Sequence, residues 1–189
     1  MPDFLRRRKT CLALLAVVLV AAFTAGCAPP EAHPGDAPDT GDSDTGQDQE
    51  VTLVLYFPDD QAMYLEREER TVEAAEGETY ETLAVKALIE GPAVEGHGVS
   101  IPEGTELLSL EVTDGVAYVN FSEEFVANHW GGSTGEIMTI YSVVNTLTES
   151  PDVTAVVFLV EGEKLGTLAG HIELTDPVER NEDIIAGEG

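Results

Sequence analysis

Few of the residue types that carry out chemistry lie close together in this 189-residue chain. His97, His129 and His171 are far apart, and none pairs with another at helical i, i+3 or i, i+4 spacing. A zinc site needs three or four ligands in one place and is therefore a minor alternative. We expect no hydrolase-type nucleophile turn and no phosphate-binding loop. We predict no metal, no cofactor and no catalytic residue, so the chain is not expected to be an enzyme; hydrolysis by paired carboxylates stays open.

Cys27 is the residue whose surroundings do predict a reaction. Basic residues at 6–9 precede an apolar run of 13 residues at 11–23, which is typical of an export signal and too short for the roughly 20 residues of a membrane span. The break at Thr24-Ala25-Gly26-Cys27 resembles the lipobox of bacterial lipoproteins. That resemblance implies that a diacylglyceryl group is attached to Cys27, which becomes the first mature residue. A plain secretory signal and a retained membrane helix are the alternatives.

Charge and cysteine content restrict what the mature chain can bind. Removal of residues 1–26 takes away four of nine basic and one of 36 acidic residues, which leaves a formal charge of −30. Such a chain repels nucleic acid and anionic lipid surfaces, so the predicted lipid on Cys27, not the protein surface, supplies contact with a bacterial membrane. Both cysteines lie at or before Cys27, so the mature domain has no disulfide.

The chain divides into four segments. We predict a lipoprotein signal peptide at 1–26 and an acidic disordered tether at 27–50, because residues 28–50 contain no aromatic or large aliphatic side chain. A folded domain is predicted at 51–180 and a flexible tail at 181–189. The mature protein is therefore expected outside the cytoplasm, with its domain held away from the membrane.

Within the domain, residue patterns predict the order strand, strand, helix, strand, strand, helix, strand. Residues 51–57 are β-branched and aromatic, 62–74 read as a second extended segment, and 153–160 read as a buried strand. Asp114-Gly115 predicts a two-residue type I′ hairpin turn between strands at 107–113 and 116–121. These patterns predict an α+β fold, a mostly antiparallel sheet with two helices packed on one face.

The two predicted helices have recognisable ends. Thr79 is the expected N-cap of the first, and Gly91-Pro92 ends it. The second is expected to start at Ser133, with Glu136 completing a capping box. Its apolar stripe follows helical spacing. The stripe consists of Ile137, Ile140, Tyr141, Val144 and Leu147.

The loop before the second helix carries the only tryptophan of the chain, Trp130, beside His129 and two glycines. Tryptophan is enriched where proteins bind partners, so Trp130 and His129 are the candidate binding residues. The alternative is that Trp130 folds back over the edge of the core. Gly131-Gly132-Ser133 is read as a hinge and helix cap rather than an anion site.

Several segments in order resemble the GerMN domain family of sporulation and spore germination lipoproteins. The resemblance covers residues 51–165. Its segments lie at 56–60 (Tyr-Phe-Pro-Asp-Asp), 87–92 (Ala-Leu-Ile-Glu-Gly-Pro), 101–105 (Ile-Pro-Glu-Gly-Thr), 114–122 (Asp-Gly-Val-Ala-Tyr-Val-Asn-Phe-Ser), 141–149 (Tyr-Ser-Val-Val-Asn-Thr-Leu-Thr-Glu) and 160–162 (Val-Glu-Gly).

The resemblance implies an α+β fold akin to ring-building modules of envelope complexes, without catalytic residues. It also implies a protein-interaction domain in envelope assembly, sporulation or germination, with an envelope protein as the partner. Binding of cell wall or a small ligand is the second interpretation, and a minor envelope hydrolase is the third.

Overall fold

The architecture is taken from a computed structural model that describes residues 49–187. The predicted signal peptide, Cys27 and most of the predicted tether lie outside these residues. Among the described residues, no helix combines the length and apolar character needed to cross a membrane. The elements are β1 (Gln49–Pro58), β2 (Leu65–Ala74), α1 (Tyr80–Glu90), β3 (Leu107–Thr113), β4 (Val116–Phe121), α2 (Glu124–Ala127), α3 (Ser133–Leu147), β5 (Ala155–Val160), β6 (Glu163–Lys164), β7 (Val178–Glu179) and a 3₁₀ turn at Glu182–Ile184.

The strands form two sheets rather than the single predicted one. β1 and β2 make an antiparallel hairpin, and the larger sheet has the order β3-β4-β5-β6 with β7 also paired to β5. Four of the five strand pairs are antiparallel, whereas β4 and β5 are parallel because the chain crosses over through α2 and α3. The predicted α+β class with mostly antiparallel pairing is thus confirmed, and α2 adds a short third helix to the two predicted.

The outer edge of β1 is closed by the two long helices. The Val54 amide donates to the Tyr80 hydroxyl at 3.1 Å, and the Tyr56 amide donates to Thr146 Oγ1 at 3.0 Å. Edge amides without a strand partner are costly when buried, so these side chains take the place of a third strand. They fix α1 and α3 against the hairpin.

One core joins the helices to both sheets. Its fully buried members include Phe57 of β1, Leu88 of α1 and Phe121 of β4. Only one face of β4 enters the core, because Ala117, Val119 and Phe121 alternate with half-buried residues. Of the predicted stripe of α3, Ile140, Val144 and Leu147 are buried in this core and Tyr141 packs against it, whereas Ile137 packs against a second, smaller cluster. However, the helix also buries Ser142, Asn145 and Thr146, because it is covered on further sides.

Short sequence signals correctly predicted the two ends of α1 and the turn between β3 and β4. Thr79 accepts a hydrogen bond from the Thr82 amide as the N-cap of α1, and Gly91 follows the helix at φ 91°. Asp114 and Gly115 have φ values of 51° and 80°, as a type I′ turn requires. The first strand begins at Gln49, two residues before the predicted start of the domain.

Residues 181–187, which belong to the predicted flexible tail, include two that contact β2. Ile185 bridges to Leu65 in parallel fashion, and the Ala186 amide donates to the Leu65 carbonyl at 2.8 Å. Just before them, the Arg180 guanidinium contacts the Tyr56 hydroxyl at 2.8 Å and Glu149 at 2.9 Å. The bonds to Leu65 place residues 185–186 beside β2, and Arg180, which precedes this segment, is connected to β1 and to the end of α3.

Candidate functional site: an apolar surface at the start of α3

The three most exposed large apolar side chains of the described residues lie on segments that contact the first two turns of α3. Met63, Val99 and Trp130 are 60%, 57% and 52% exposed. They lie on three separate segments, each of which contacts residues 134–139. Together they are called the helix-start surface.

Trp130 reaches this surface by lying over Gly135. A Cβ at position 135 would be only 2.4 Å from the indole Nε1, so the contact requires glycine there. Gly131 and Gly132 have φ values of 75° and 82°, which lets the chain turn sharply between Trp130 and the helix. The His129 ring is stacked with the indole at 4.9 Å between centroids.

His129 is held in one tautomer by its neighbours. Its Nδ1 accepts from the Gly131 amide at 3.0 Å, so the ring proton lies on Nε2, 3.3 Å from Thr139 Oγ1. Thr139 in turn donates to the Ser100 carbonyl at 2.8 Å. Burial lowers the pKa of His129, although the nearby charge of Glu136 acts to raise it. A neutral His129 therefore positions the Trp130 loop.

Val99 and Met63 are positioned by two neighbouring segments, the 98–100 loop and the β1–β2 turn. Ser100, next to Val99, is tied to α3 through Thr139, and the Gly98 amide donates to the Pro58 carbonyl at 2.6 Å. The turn after Pro58 is closed by Asp59, whose carboxylate accepts from the Met63 amide at 2.7 Å. The β1–β2 turn and the 98–100 loop are thus linked at one end of the domain.

An open groove of about 340 Å³ lies between the β1–β2 turn and α3. Its walls are mainly apolar, and two of its lining residues are methionines, whose flexible thioethers adapt to different surfaces. The lining residues are Gln61, Ala62, Met63, Thr134, Ile137, Met138 and Ile184. It has room for apolar side chains of another molecule.

The segments that form the helix-start surface are acidic. Residues 59–64, 94–104 and 124–139 contain no lysine or arginine. Their carboxylates outside the core belong to Asp59, Asp60, Glu95, Glu103 and Glu124. The segments that form the surface therefore combine exposed apolar side chains with an excess of negative charge.

Glu136 was predicted to complete a capping box, and that prediction is wrong. Gly132 is the N-cap of α3, without a side-chain cap bond, and the Glu136 side chain is fully buried. Its Oε1 accepts from Thr167 Oγ1 and from the Leu168 and Ala169 amides at 2.9–3.1 Å. Its Oε2 accepts from the His171 amide at 2.8 Å and lies 3.1 Å from Nδ1 of the same residue.

These bonds make Glu136 an anchor for the 167–171 loop. Burial by itself would raise the pKa of Glu136, but the bonds from Ala169, His171 and Thr167 outweigh it and lower the pKa to about 2. The carboxylate is therefore ionised and fully occupied. Sequence spacing could not have shown this role, because the donors lie more than 30 residues further along the chain.

Glu68, on β2, plays a similar part. It accepts from the Arg70 guanidinium at 2.6 Å and from the Ala93 and Val94 amides at 3.1–3.2 Å. His97 lies with Nδ1 3.1 Å from Glu68 and Nε2 3.0 Å from Glu66. Burial opposes ionisation of Glu68, but the donors prevail and its pKa is lowered. This cluster fixes the loop after α1.

The three histidines of residues 49–187 do not meet in one place. His97 contacts Glu66 and Glu68, His171 contacts Glu136, and His129 contacts Thr139. Across residues 49–187, no group of three or more His, Cys, Asp or Glu side chains could hold a metal ion.

Residues 131–135 do have the Gly-x-Ser-x-Gly spacing of a hydrolase nucleophile turn. That turn places serine between a strand and a helix in a strained conformation. Here Ser133 is the first residue of α3, follows a loop rather than a strand, and is not among the non-glycine residues with positive φ. The pattern therefore forms a helix start in this fold.

The structure brings both predicted binding residues to the helix-start surface, Trp130 as an exposed side chain and His129 as its support. Met63 and Val99 were not predicted. A single apolar residue in a loop is buried in some folds and exposed in others, so its type alone does not identify a surface.

Comparison with known proteins identifies a family. A family model described as Germane, sporulation and spore germination, matches residues 54–166. A comparison with curated proteins gave no match.

Solved structures agree with the family match. A Clostridium perfringens protein, provisionally described as a lipoprotein, is 27% identical, with 69% of this chain and 87% of that one covered and a TM-score of 0.50. The first GerMN domain of the Bacillus subtilis sporulation protein GerM is 23% identical, with 69% and 98% covered and a TM-score of 0.56. The tandem GerMN structure of GerM is also 23% identical over 69% of this chain, with a TM-score of 0.57; this chain covers 46% of it.

Proposed function

We propose, on the premise that this chain belongs to the Germane family of sporulation and spore germination proteins, that it is a membrane-anchored docking protein of the cell envelope. Its domain binds another envelope protein and carries out no reaction. It acts in assembly of the cell envelope, and the family name indicates sporulation and spore germination as the processes concerned.

The helix-start surface is the observation that carries this proposal. Soluble domains leave isolated apolar side chains exposed, but three on adjoining segments beside an apolar groove are typical of an interaction site. The segments are also fixed in place, since Trp130 lies on Gly135 and the Val99 loop is tied to α3 through Thr139. A surface that is already ordered loses little conformational entropy on binding.

Two observations support membrane attachment outside the cytoplasm. Cys27 ends a sequence with the features of a lipoprotein signal. The similar Clostridium perfringens structure is itself provisionally described as a lipoprotein. A lipid at Cys27 and the polar residues after it would place the helix-start surface within reach of other envelope proteins.

The buried carboxylates of Glu136 and Glu68 are occupied by hydrogen bonds within the domain, which supports a role without catalysis. A general base needs a free electron pair near its substrate, yet Glu136 is 0% exposed and accepts hydrogen bonds at both oxygens. Glu68 is 3% exposed and is likewise occupied by Arg70 and backbone amides. Both carboxylates stabilise loops.

Cross-linking in the native bacterium tests the docking function. The tagged full-length chain is cross-linked in cells, and captured proteins are identified by mass spectrometry beside a Cys27→Ala control. We expect one reproducible envelope protein that is lost or reduced when the anchor is removed. Capture of nothing above background would contradict the proposal.

A second candidate function, binding of cell wall or a small ligand, is favoured by a groove on the larger sheet. This groove, of about 260 Å³, is lined by Tyr118 with several polar side chains. Its other lining residues are Ser109, Glu111, Asn120, Leu159 and Gly162. An aromatic ring flanked by polar groups suits a sugar. Saturable retention on purified cell wall that is lost in Tyr118→Ala would support this candidate, and retention unchanged by that substitution would exclude the groove.

A further inference from the structure

We infer that the helix-start surface binds a cationic amphipathic segment of its partner, an inference that rests on the proposed docking function. The segment places one or two apolar side chains in the groove and sets lysine or arginine against the surrounding carboxylates.

The apolar half of the inference follows from the groove and the three exposed side chains. The groove of about 340 Å³ is bounded by Met63 on one side and by Ile137 and Met138 of α3 on the other. This space suits side chains projecting from a helix or strand, as in recognition of an amphipathic helix by an apolar groove. Val99 and Trp130 extend the contact beyond the groove, because their segments are tied to the same helix.

The cationic half follows from the distribution of charge. Residues 87–163 contain no lysine or arginine at all. Of the five basic residues at 49–187, Arg67, Arg70, Lys86 and Arg180 each lie within 4 Å of a carboxylate. The segments that form the helix-start surface carry exposed carboxylates at Asp60, Glu95 and Glu103 and half-buried ones at Asp59 and Glu124, with no basic residue on the same segments.

The same charges argue against two other occupants. A second copy of this chain docked through the helix-start surface would bring identical carboxylates together across the contact, which costs free energy. An anionic lipid surface would be repelled in the same way. A partner segment with apolar and basic residues is attracted by both parts of the surface.

A peptide titration tests the inference directly. The probe is a 14-residue helical peptide of leucine and lysine without tryptophan, and its control replaces each lysine with glutamate. Trp130 is the only tryptophan of the chain, so its fluorescence reports on this surface. We expect saturable change in emission with the lysine peptide and none with the glutamate peptide. Self-association of the protein through this surface would overturn the inference in favour of a second copy of the chain. A change in Trp130 emission with zwitterionic vesicles equal to that with the lysine peptide would overturn it in favour of a lipid surface.

Matched variants separate specific binding from attraction to an acidic protein. Asp60→Asn with Glu95→Gln should weaken peptide binding about twofold to thirtyfold, as loss of two exposed ion pairs does. Glu73→Gln with Glu76→Gln removes the same charge at the other end of the β1–β2 hairpin and should leave binding unchanged. Equal weakening by both pairs would overturn the inference.

A second matched pair tests the apolar contact. Val99→Ser should weaken binding at least about threefold, because apolar area is lost from the interface. Val112→Ser, at an exposed position of β3, should have no effect. No peptide binding, together with an envelope partner captured in cells, would reject this surface while leaving the docking function intact. Failure of both experiments would reject the docking function itself.

Discussion

The indole of Trp130 lies directly over Gly135, where a Cβ would come within 2.4 Å of Nε1 and 2.8 Å of Cδ1. No rotamer of an alanine could relieve this approach, because a Cβ has a fixed position on the backbone. The absence of a side chain at residue 135 therefore determines where the main exposed aromatic group of the helix-start surface lies.

Gly135→Ala is expected to displace the indole without unfolding the domain. Alanine favours a helix by about 0.5–1 kcal/mol over glycine, so stability should be kept while Trp130 moves. The measurement is the emission spectrum and quenching of the single tryptophan. Gly166→Ala is the control, because a Cβ there meets no atom within 4 Å. Unchanged emission in Gly135→Ala would contradict the contact.

Glu136→Gln is expected to lower the free energy of unfolding by about 3 kcal/mol at neutral pH. The lowering of its pKa from 4.5 to about 2 reflects hydrogen bonds to the ionised form, and one pKa unit corresponds to about 1.4 kcal/mol. Glutamine keeps the shape but cannot accept at both ends. The measurement is denaturant unfolding of the full chain, with Glu163→Gln on exposed β6 as the control.

The same residue has a defined pH dependence. Because the folded pKa is lowered, its stabilisation is complete above about pH 5 and is lost as the pH falls from 4.5 towards 2. The stability difference between the native chain and Glu136→Gln should therefore shrink between pH 5 and pH 3. A difference that stays constant over this interval would show that the carboxylate charge is not what the 167–171 loop binds.

Glu136 also shows which parts of the fold can be predicted from sequence. The Thr79 cap and the Asp114-Gly115 turn depend on residues within a few positions, and both were confirmed. A glutamate three residues after Ser133 fits a capping box equally well, but its actual donors lie at 167–171. Such partners are brought together only by tertiary folding, which local spacing does not encode.

The helix-start surface could likewise be predicted only in part from the sequence. Trp130 could be selected because tryptophan is rare and stands between polar residues and glycines. Met63 and Val99 join it through the Gly98–Pro58 and Thr139–Ser100 bonds, which connect segments about 40 residues apart. Two sheets instead of one likewise arise because α1 and α3 cover the edge of β1.

Leu147→Ala is expected to destabilise the domain by about 2–5 kcal/mol, as large-to-small substitutions in a core do. Leu147 ends α3 and is 0% exposed. Thermal or denaturant unfolding measures the effect, and Leu108→Ala on β3 is the control, since Leu108 is 44% exposed. If both variants lowered the free energy of unfolding by the same small amount, the end of α3 would not contribute to the core.

Cys27→Ala is expected to abolish lipid attachment while the domain stays folded. Cys27 lies outside the described residues, and the core contains no cysteine. Mass spectrometry of the purified chain should show loss of the acyl mass, and thermal unfolding should show an unchanged midpoint. A variant that is still acylated would disprove the assignment of Cys27.

The central claim is that the helix-start surface docks an envelope protein, and photo-cross-linking from that surface tests it most directly. A photoreactive amino acid replaces Val99 in the full-length chain in cells, and Val112 in a matched control on β3. We expect one discrete envelope protein to be captured from position 99 and lost when Trp130→Ala is added. No adduct from position 99, or the same adduct in equal yield from position 112, would contradict the claim.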